Sequence, residues 1–507
     1  MKKTVFIKNA AILTASSLIL RFAGIIFKVW LAALIGSEGI GLYQLVFSVY
    51  MLVSTFASSG ISTAVTRLVA EELALGSKNG TLKILKRSIE ITLIIAITSV
   101  AIVYFGADFI AGSILKDVRA ANALRILPFS LPFMGITSCL KGYFIARRKA
   151  TPGACAQLTE QTVRIFLVVI LVKAFINKGI AVSCAAVMLG DVISELVGCL
   201  LLGLTFAFDR KKLSALTGRS RPPYKIIKKI SDIALPITSG RYLNTALRTG
   251  ENILVPQSLA KYKLGGENAL SQFGMIKGMA LPILFFPSAV LNSVSTLLIP
   301  EMSEAAARNH TQVVKSATEK ILKLTAIISF IFGAIFYAAG DKIGVLIYKD
   351  PSVGYLLRVL SPIVPLMYLD SISDGILKGL DQQNYTFFTA LSDSSLRIVL
   401  VIALLPFMGL KGFIIIMYFS NIFTCLLHIA RLMKISKARL KLLGEIIIPL
   451  VSALTVTLLA STLLNIFSIS DVLVYIILLC VVSICLYGTL LLLFGTVTPD
   501  EIKNFLK

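Results

Sequence analysis

Ionisable side chains are scarce in this sequence. Only 15% of its 507 residues are Asp, Glu, Lys or Arg, and only two are histidine. Soluble globular domains carry about 25% charged residues, so the composition excludes an ordinary soluble protein. The sequence also lacks a long polar segment between its apolar runs. This leaves no room for a soluble catalytic domain, and any activity is expected to reside in a membrane.

Metal-binding and catalytic motifs are also missing. The seven cysteines lie in apolar segments and form no Cys-x-x-Cys pair, and His310 and His428 are far apart in sequence. Cysteines in such surroundings are expected to be buried packing residues rather than disulfides or metal ligands. We therefore predict no metal site, no cofactor, no catalytic residues and no enzymatic function.

Long apolar runs dominate the sequence instead. Segments such as "VLVYIILLCVVSICLYGTLLLLF" do not alternate between apolar and polar residues, which excludes the strands of a membrane β-barrel. Helices satisfy their own backbone hydrogen bonds in lipid, and about 20 apolar residues cross a bilayer. The runs predict an all-α polytopic membrane protein with about fourteen transmembrane helices.

The positive charge is concentrated in short loops. The formal net charge is +24, but the basic residues lie mainly between apolar runs, where they act as orientation signals. Lysine- and arginine-rich loops alternate with poor ones, which predicts a multi-pass cell-membrane protein with both termini in the cytoplasm. No aromatic-rich basic domain is present, so nucleic acid is not an expected partner.

The two halves of the chain resemble each other. Two pairs of segments align with offsets of 230 and 233 residues, and the second pair matches Glu160 with Asp393 and Arg164 with Arg397. We predict an N-terminal six-helix lobe (1–207), a basic cytoplasmic linker (208–229) and a C-terminal six-helix lobe (230–432). Residues 433–507 would add two helices and a short cytoplasmic tail. An even number of spans before the second copy predicts parallel repeats with a cavity between them.

Several cations lie within predicted spans. A charge at the bilayer centre costs roughly 2.5 to 3.5 kcal/mol, so such a residue faces a partner or a wet cavity. Arg21 and Lys28 are seven residues apart, as are Arg241 and Arg248, and each pair therefore shares one helical face. With Lys277, these residues are predicted to line a cationic substrate cavity. The alternative is that their long side chains reach the nearer membrane interface.

The other intramembrane charges come in pairs spaced four residues apart. The pairs are Glu160 with Arg164, Asp191 with Glu195, Asp370 with Asp374, and Asp393 with Arg397. Opposite charges at this spacing neutralise each other, which favours structural ion pairs. The two like-charged pairs repel unless a cation or a distant basic residue joins them. They are interpreted either as coupling-ion or proton sites, or as helix ends in water.

A cationic cavity favours an anionic substrate. Arginine binds phosphate through a bidentate fork, and lysine adds a point charge. Small soluble anions fit this requirement, and so does a lipid-linked diphosphate whose tails remain in the bilayer. An inside-negative potential favours outward movement of such an anion by roughly 2.3 kcal/mol per charge per 100 mV.

Three segments resemble a known family: "SSLILRFAGIIFKVWLAALIGSEGIGLYQL", "SSGISTAVTRLVAEE" and "FPSAVLNSVSTLLIPEMSEA". With the layout of six, six and two helices, they resemble the stage V sporulation protein B branch of the multidrug/oligosaccharidyl-lipid/polysaccharide exporter superfamily. That superfamily also contains MurJ-type lipid II flippases and MATE drug exporters. The resemblance implies a V-shaped, MATE- and MurJ-like bundle that works by alternating access. It further implies a polyprenyl-diphosphate-linked saccharide as substrate and a setting in peptidoglycan, spore cortex or cell-wall synthesis.

The resemblance extends to the first span with one departure. MurJ-type flippases have a basic residue there, followed by an Arg-Asp pair. Arg21 keeps the first position, and Phe27-Lys28 stands where the pair would be. The resemblance implies a flippase with lipid-linked oligosaccharide and membrane lipids as partners, and the like-charged acidic pairs leave Na⁺ or H⁺ as candidate coupling ions. The alternative is a MATE-like, cation-coupled exporter of small organic cations, which would use the intramembrane acids. A scaffold without transport is a third hypothesis.

Overall fold

The structure is a computed structural model of the chain. It describes residues 3–58, 60–212, 226–262, 268–288, 291, 302–308, 310–439, 441–467, 469 and 471–497. Within these ranges every regular element is helical. The predicted all-α polytopic membrane fold is confirmed. The described part of the chain divides into two compact units, each of which is described separately below.

Unit 1 comprises residues 1–27, 38–257 and 269–271. Most of it is built from the following helices: α1 (Lys3–Ser58), α2 (Ile61–Ala74), α3 (Lys78–Phe105), α4 (Ala107–Phe109), α5 (Ala121–Ile126), α6 (Leu131–Ala146), α7 (Thr151–Phe175), α8 (Ile180–Lys212) and α9 (Ile226–Leu259). Its core contains Val65, Leu140 and Tyr143, where α2, α3 and α6 pack together. Residues 213–225, most of the predicted linker 208–229, lie outside the described residues, so the predicted division there remains a prediction.

Unit 2 comprises residues 28–37, 258–268 and 272–507. Most of its described part is built from α10 (Ala269–Gly274), α11 (Leu281–Phe285), α12 (Thr311–Tyr348), α13 (Pro351–Leu360), α14 (Val364–Gly379), α15 (Gln383–Ser436), α16 (Ile448–Ile466) and α17 (Val472–Leu493). Ala334, Ala453 and Tyr487 lie in a core where α12 meets α16 and α17. The two helices predicted after the second lobe are thus present as α16 and α17.

Capping side chains and glycines set the helix boundaries. Ser77, Asp350 and Asp471 precede α3, α13 and α17 and each accepts a backbone N–H of the first turn, as N-cap residues do. Gly36 and Gly409 have positive φ values of 75° and 55° inside α1 and α15. Each glycine joins two helical segments at a kink, because only a residue without Cβ adopts this conformation at little cost. The segment of α15 after the kink, 410–436, is called α15b.

Helix lengths agree with a membrane-spanning fold. Among the described residues, nine helical stretches are long and apolar enough to cross a bilayer. Two of these stretches, Ala15–Ala74 and Gln383–Ser436, are 60 and 54 residues long and contain the kinks at Gly36 and Gly409. Each therefore covers two of the spans predicted from sequence. The predicted span 271–300 lies partly outside the described residues.

Corresponding helices in the two units recur at a constant offset. α6 runs from 131 to 146 and α14 from 364 to 379, so both ends differ by 233 residues. This is one of the two offsets found in the sequence. A 3₁₀ turn precedes each of these helices, at Leu127–Ser130 and Ser361–Ile363. The equal lengths and matching turns support the internal repeat.

Candidate functional site

One face of α9 is polar along most of its length. Thr238, Thr245, Thr249 and Asn252 lie on this face with the helical spacings of seven, four and three residues. Thr249 donates to the backbone carbonyl of Ser48 at 3.0 Å, and the Asn252 amide donates to the Ser48 hydroxyl at 3.0 Å. These bonds fix the register of α9 against the second half of α1.

Just before α2, the chain approaches α9 closely at Gly60. The Gly60 N–H donates to the Thr238 hydroxyl at 3.1 Å. A Cβ at residue 60 would lie 2.2 Å from the carbonyl oxygen of Ala234. Only glycine permits this approach, and it positions the following turns of α9 beside α1.

A cavity of about 420 Å³ opens between these helices within unit 1. We call it the arginine cavity. Its lining residues come from α1, α6 and α9, and are Met51, Ser54, Thr55, Ser58, Met134, Arg241, Asn244, Thr245 and Arg248. Two of the five predicted cations, Arg241 and Arg248, therefore share one cavity. Their spacing of seven residues places them about two turns apart on the same helix face.

The charge of Arg248 is not neutralised within the described part of the chain. Its side chain is exposed, and no ion pair forms between it and a described residue. Glu251 follows three residues later but is buried and makes no ion pair with Arg248. Neutral hydroxyl and amide groups also line the cavity. The Thr55 and Thr245 hydroxyls lie 3.4 Å apart, and the Asn244 Oδ1 atom is buried without a hydrogen-bond donor. The cavity thus offers the guanidinium of Arg248 to a ligand, with Arg241 and several neutral polar groups in the same lining.

The remaining predicted cations lie elsewhere in the fold. Arg21 and Lys28 are exposed side chains on α1, the first in unit 1 and the second in unit 2. Lys277 lies in a π-helical segment of unit 2, with its Nζ 6.0 Å from the centre of the Phe413 ring. The assignment of these three residues to a substrate cavity remains a prediction.

Three carboxylates surround one arginine in unit 1. Arg164 of α7 lies 2.9 Å from Glu160, 2.9 Å from Asp191 and 4.0 Å from Glu195, all measured from guanidinium nitrogen to carboxylate oxygen. We call these four residues the Arg164 cluster. The like-charged pair of α8 is thus joined by a distant basic residue, one of the alternatives left open by the sequence. The cluster contains three carboxylates and one guanidinium, so it has two more acidic groups than Arg164 can neutralise on its own.

Small residues on α8 allow this arrangement. A Cβ at residue 190 would lie 2.6 Å from a methyl carbon of Val168, and one at 198 would lie 3.3 Å from the Glu160 Cβ. Gly190, Ser194 and Gly198 are spaced by four residues, a pattern that brings membrane helices close together. Asp191 and Glu195 each follow one of the first two small residues and are therefore directed toward α7.

Asp370 and Asp374 of unit 2 have separate partners. Asp374 binds Lys378 one turn further along α14, at 2.5 Å. Asp370 lies 2.8 Å from Nδ1 of His428 on α15b. Asp393 accepts a hydrogen bond from the Ser420 hydroxyl at 2.6 Å, and an Arg397 nitrogen lies 3.6 Å from the Met417 sulfur. Asp370 and Asp374, which the sequence grouped as one repelling pair, therefore belong to two different interactions.

Sequence reasoning missed two sets of polar residues. The hydroxyls of Ser54, Thr55 and Ser58 were not singled out from the sequence, although their spacing places them on one helical face. His428 was considered only as a metal ligand. Among the described residues no group of three or more His, Cys, Asp or Glu side chains is suited to a metal ion. Its proximity to Asp370 depends on the packing of α14 against α15, which no local pattern reveals.

The sequence matches a family profile over more than half of its length. The family described as "Polysaccharide biosynthesis protein" matches residues 6–305. The stage V sporulation protein B of Bacillus subtilis (strain 168) is 28% identical to this chain, and the alignment covers 87% of this chain and 86% of that protein. The resemblance to the stage V sporulation protein B branch is confirmed.

Two solved structures share the fold. The lipid II flippase MurJ in an inward closed conformation has a TM-score of 0.70 at 15% identity and covers 98% of this chain and 100% of its own. An inward-facing multidrug resistance MATE family transporter of the MOP superfamily has a TM-score of 0.65 at 15% identity, and covers 83% of this chain and 99% of its own. At this identity the likeness concerns the fold.

Proposed function

The chain belongs to the polysaccharide biosynthesis protein family, and we propose that it moves a polyprenyl-diphosphate-linked saccharide outward across the cell membrane by alternating access. At the coarser level it is a multi-pass membrane protein of the flippase and exporter superfamily, and it is a transport protein rather than an enzyme. The substrate, a lipid II-like peptidoglycan or polysaccharide precursor, is the proposed part. The setting proposed for it is spore cortex or cell-wall synthesis, and both termini are proposed to lie in the cytoplasm.

The observation that supports this substrate is the arginine cavity. Arg241 and Arg248 line the same cavity, and Arg248 has no ion-pair partner among the described residues. A diphosphate supplies acceptor oxygens for both forks, and charge-assisted hydrogen bonds of this kind are roughly twice as strong as neutral ones. The hydroxyls of Ser54, Thr55 and Thr245 offer additional hydrogen bonds to phosphate or sugar oxygens.

The direction of movement follows from the charge of the head group. Under an inside-negative potential, an anion gains roughly 2.3 kcal/mol per charge per 100 mV on moving outward. A diphosphate therefore has a driving force even without a coupled ion. The prenyl tail remains in lipid during the movement, so that only the polar head needs a hydrated path.

The acidic residues support an anionic substrate over an organic cation. A cation exporter needs free carboxylates in its cavity, but Asp191 is bound by Arg164, Asp374 by Lys378 and Asp370 by His428. The residues that line the arginine cavity include no carboxylate. We therefore favour the lipid-linked saccharide over the MATE-like alternative.

Lipid binding to the purified protein tests the proposal directly. Native mass spectrometry of the protein extracted from membranes that synthesise lipid-linked saccharides should show a retained polyprenyl diphosphate. In the variant with both Arg241→Gln and Arg248→Gln, the affinity for added undecaprenyl diphosphate should fall by about tenfold or more, because a hydrogen bond to a charged group contributes about 1.5 to 3 kcal/mol.

Arg67→Gln is the matched control. Arg67 is an exposed arginine in unit 1 that pairs with Glu71 at 3.4 Å, and it does not line the cavity. Its variant should bind undecaprenyl diphosphate like the unmodified protein. Equal binding by the double variant and the Arg67 control would contradict the proposed role of the cavity.

A further inference from the structure

A buried imidazole–carboxylate pair lies inside unit 2 and shares no residue with the arginine cavity of unit 1. Nδ1 of His428 on α15b is 2.8 Å from Oδ1 of Asp370 on α14. The His428 side chain is 6% exposed, whereas that of Asp370 is 26% exposed. The carboxylate is therefore the part of the pair that water reaches, and the imidazole lies behind it.

The other ring nitrogen of His428 has no partner. Its Nε2 atom is buried and makes no hydrogen bond with any described residue. If Nδ1–H donates to the carboxylate, a neutral imidazole leaves a bare lone pair at Nε2. Buried polar atoms in native proteins are nearly always paired, so this orphaned nitrogen requires an explanation. A lone pair that faces no donor is suited to accept a proton.

The ionisable groups near the pair have other partners, so none of them fixes the charge of the imidazole. α14 contributes Asp374, but this carboxylate is bound to Lys378. The first segment of α15 contributes Tyr385, whose ring centre lies 6.4 Å from that of the imidazole and whose hydroxyl donates to the Leu427 carbonyl. α12 carries no acidic or basic residue from 324 to 336, and Lys323 precedes that stretch. The 3₁₀ turn Ser361–Ile363 contains no ionisable side chain.

Neighbours on the same segment also have other contacts. Arg431 follows His428 by one helical turn. Its Nη2 atom donates to Oε1 of Gln382 at 2.6 Å, and its guanidinium carbon lies 5.0 Å from the centre of the Tyr385 ring. Cys425, which precedes His428 by one helical turn, is a buried free thiol. Asp370 is therefore the acidic group that directly faces the imidazole among the described residues.

We propose that the Asp370–His428 pair is a proton-binding site, at which Nε2 of His428 takes up one proton from hydronium once α15b has moved far enough for water to reach the ring. The new N–H bond forms as one O–H bond of hydronium breaks and releases water, and the pair changes from imidazole–carboxylate to imidazolium–carboxylate. The proposal extends the transport function proposed above by giving unit 2 a site for a coupled proton.

Proton uptake at this site has a structural consequence. The imidazolium carries an N–H at Nε2, and in the present packing that donor has no acceptor. A buried donor without an acceptor is unfavourable. Protonation therefore favours a different packing of α15b against α14, in which Nε2–H meets an acceptor or water. A ligand that binds one conformation better than another shifts the population in this way.

The two histidines of the chain make the site directly observable. In protein labelled with ¹⁵N-histidine and held in lipid nanodiscs, NMR gives one imidazole signal set each for His310 and His428, and His310→Ala assigns them. At about pH 9, His428 should be neutral with its proton on Nδ1, and it should gain a proton at Nε2 as the pH falls toward about pH 5. A ring that keeps one protonation state over this range, or whose neutral form carries its proton on Nε2, would overturn the proposal.

Two variants of α14 separate the pair from its neighbour. Asp370→Asn should reduce the protonated fraction of His428 at a given pH, because the adjacent carboxylate no longer stabilises the imidazolium. Asp374→Asn removes a carboxylate one turn away and should leave the fraction unchanged. Equal effects of the two variants would refute the pairing. Because no substrate is present, these results are independent of whether the arginine cavity binds a lipid-linked diphosphate.

Discussion

Unit 1 and unit 2 both bury ionisable side chains in their membrane helices, but they balance them with different cations. In the Arg164 cluster of unit 1, a guanidinium holds three carboxylates. In unit 2, Asp370 faces an imidazole. A guanidinium does not lose its proton in proteins, whereas an imidazole changes its charge near neutral pH. The comparison suggests that one unit is stabilised by a fixed charge pattern and the other responds to protons.

The largest effect should come from removing the fixed cation of unit 1. In Arg164→Gln, Glu160, Asp191 and Glu195 lose their shared partner inside the membrane. Breaking a buried ion pair by removing one partner costs about 3 to 5 kcal/mol, so we expect a large loss of thermal stability and of folded yield. Fluorescence-detected size exclusion after heating measures both.

Arg164→Lys provides the matched comparison for this prediction. Lysine keeps the positive charge but lacks the planar fork that reaches two carboxylates at once. Its thermal midpoint should lie between those of Arg164→Gln and the unmodified protein. An Arg164→Gln variant as stable as the unmodified protein would show that the fixed charge pattern does not stabilise unit 1.

The second effect concerns the close contact of α7 and α8 on which the Arg164 cluster depends. In Gly190→Ala the new methyl would lie 2.6 Å from a Val168 methyl, and overpacking of this kind typically costs about 1 to 3 kcal/mol. Gly203, on the same helix, has open space around its Cβ position. Gly203→Ala should therefore be neutral or slightly stabilising, because alanine favours helix by up to about 1 kcal/mol over glycine. Thermal midpoints of equal value would contradict the close packing.

The helices could largely be predicted from the sequence because each one satisfies its own backbone in lipid. Hydropathy therefore located α7, α8 and α17 to within a few residues. It did not locate boundaries that tertiary contacts decide. The stretch Ala15–Ala74 covers the predicted span 42–69, but α1 ends at Ser58 and α2 begins at Ile61, and Gly60 before α2 lies close to the carbonyl of Ala234. That contact joins residues far apart in sequence, and no local pattern contains it.

The candidate site was only partly predictable for the same reason. The spacing of seven residues placed Arg241 and Arg248 on one face, and both line the arginine cavity. Spacing within a helix could not show that Arg164 reaches across to Asp191. Nor could it show that Asp370 and Asp374, on one helix, turn to different partners. These arrangements depend on which helices pack together, which hydropathy alone does not specify.

A smaller effect should follow when the negative charge of the Arg164 cluster is reduced. Glu195 is the most distant of the three carboxylates from Arg164, at 4.0 Å, and it lies on the same helix face as Asp191. Glu195→Gln removes a like-charge repulsion along with a weak attraction, so the stability should change by less than about 1 kcal/mol. Asp191→Asn, which removes the contact at 2.9 Å, should be more destabilising. The reverse order of thermal midpoints would show that Glu195 is the principal partner of Arg164.

The smallest effect should come from the exposed pair beside the proposed proton site. Asp374 and Lys378 are 30% and 52% exposed and lie one helical turn apart. Pairs of this kind contribute about 0.3 to 0.5 kcal/mol in helices, so Asp374→Asn should change the thermal midpoint very little at any pH. Asp370→Asn alters a buried contact and should change the stability more, and the proposed proton site predicts that this difference depends on pH. If both variants have the same small, pH-independent effect on the thermal midpoint, the charges of unit 2 do not change with pH, and the contrast with unit 1 is wrong.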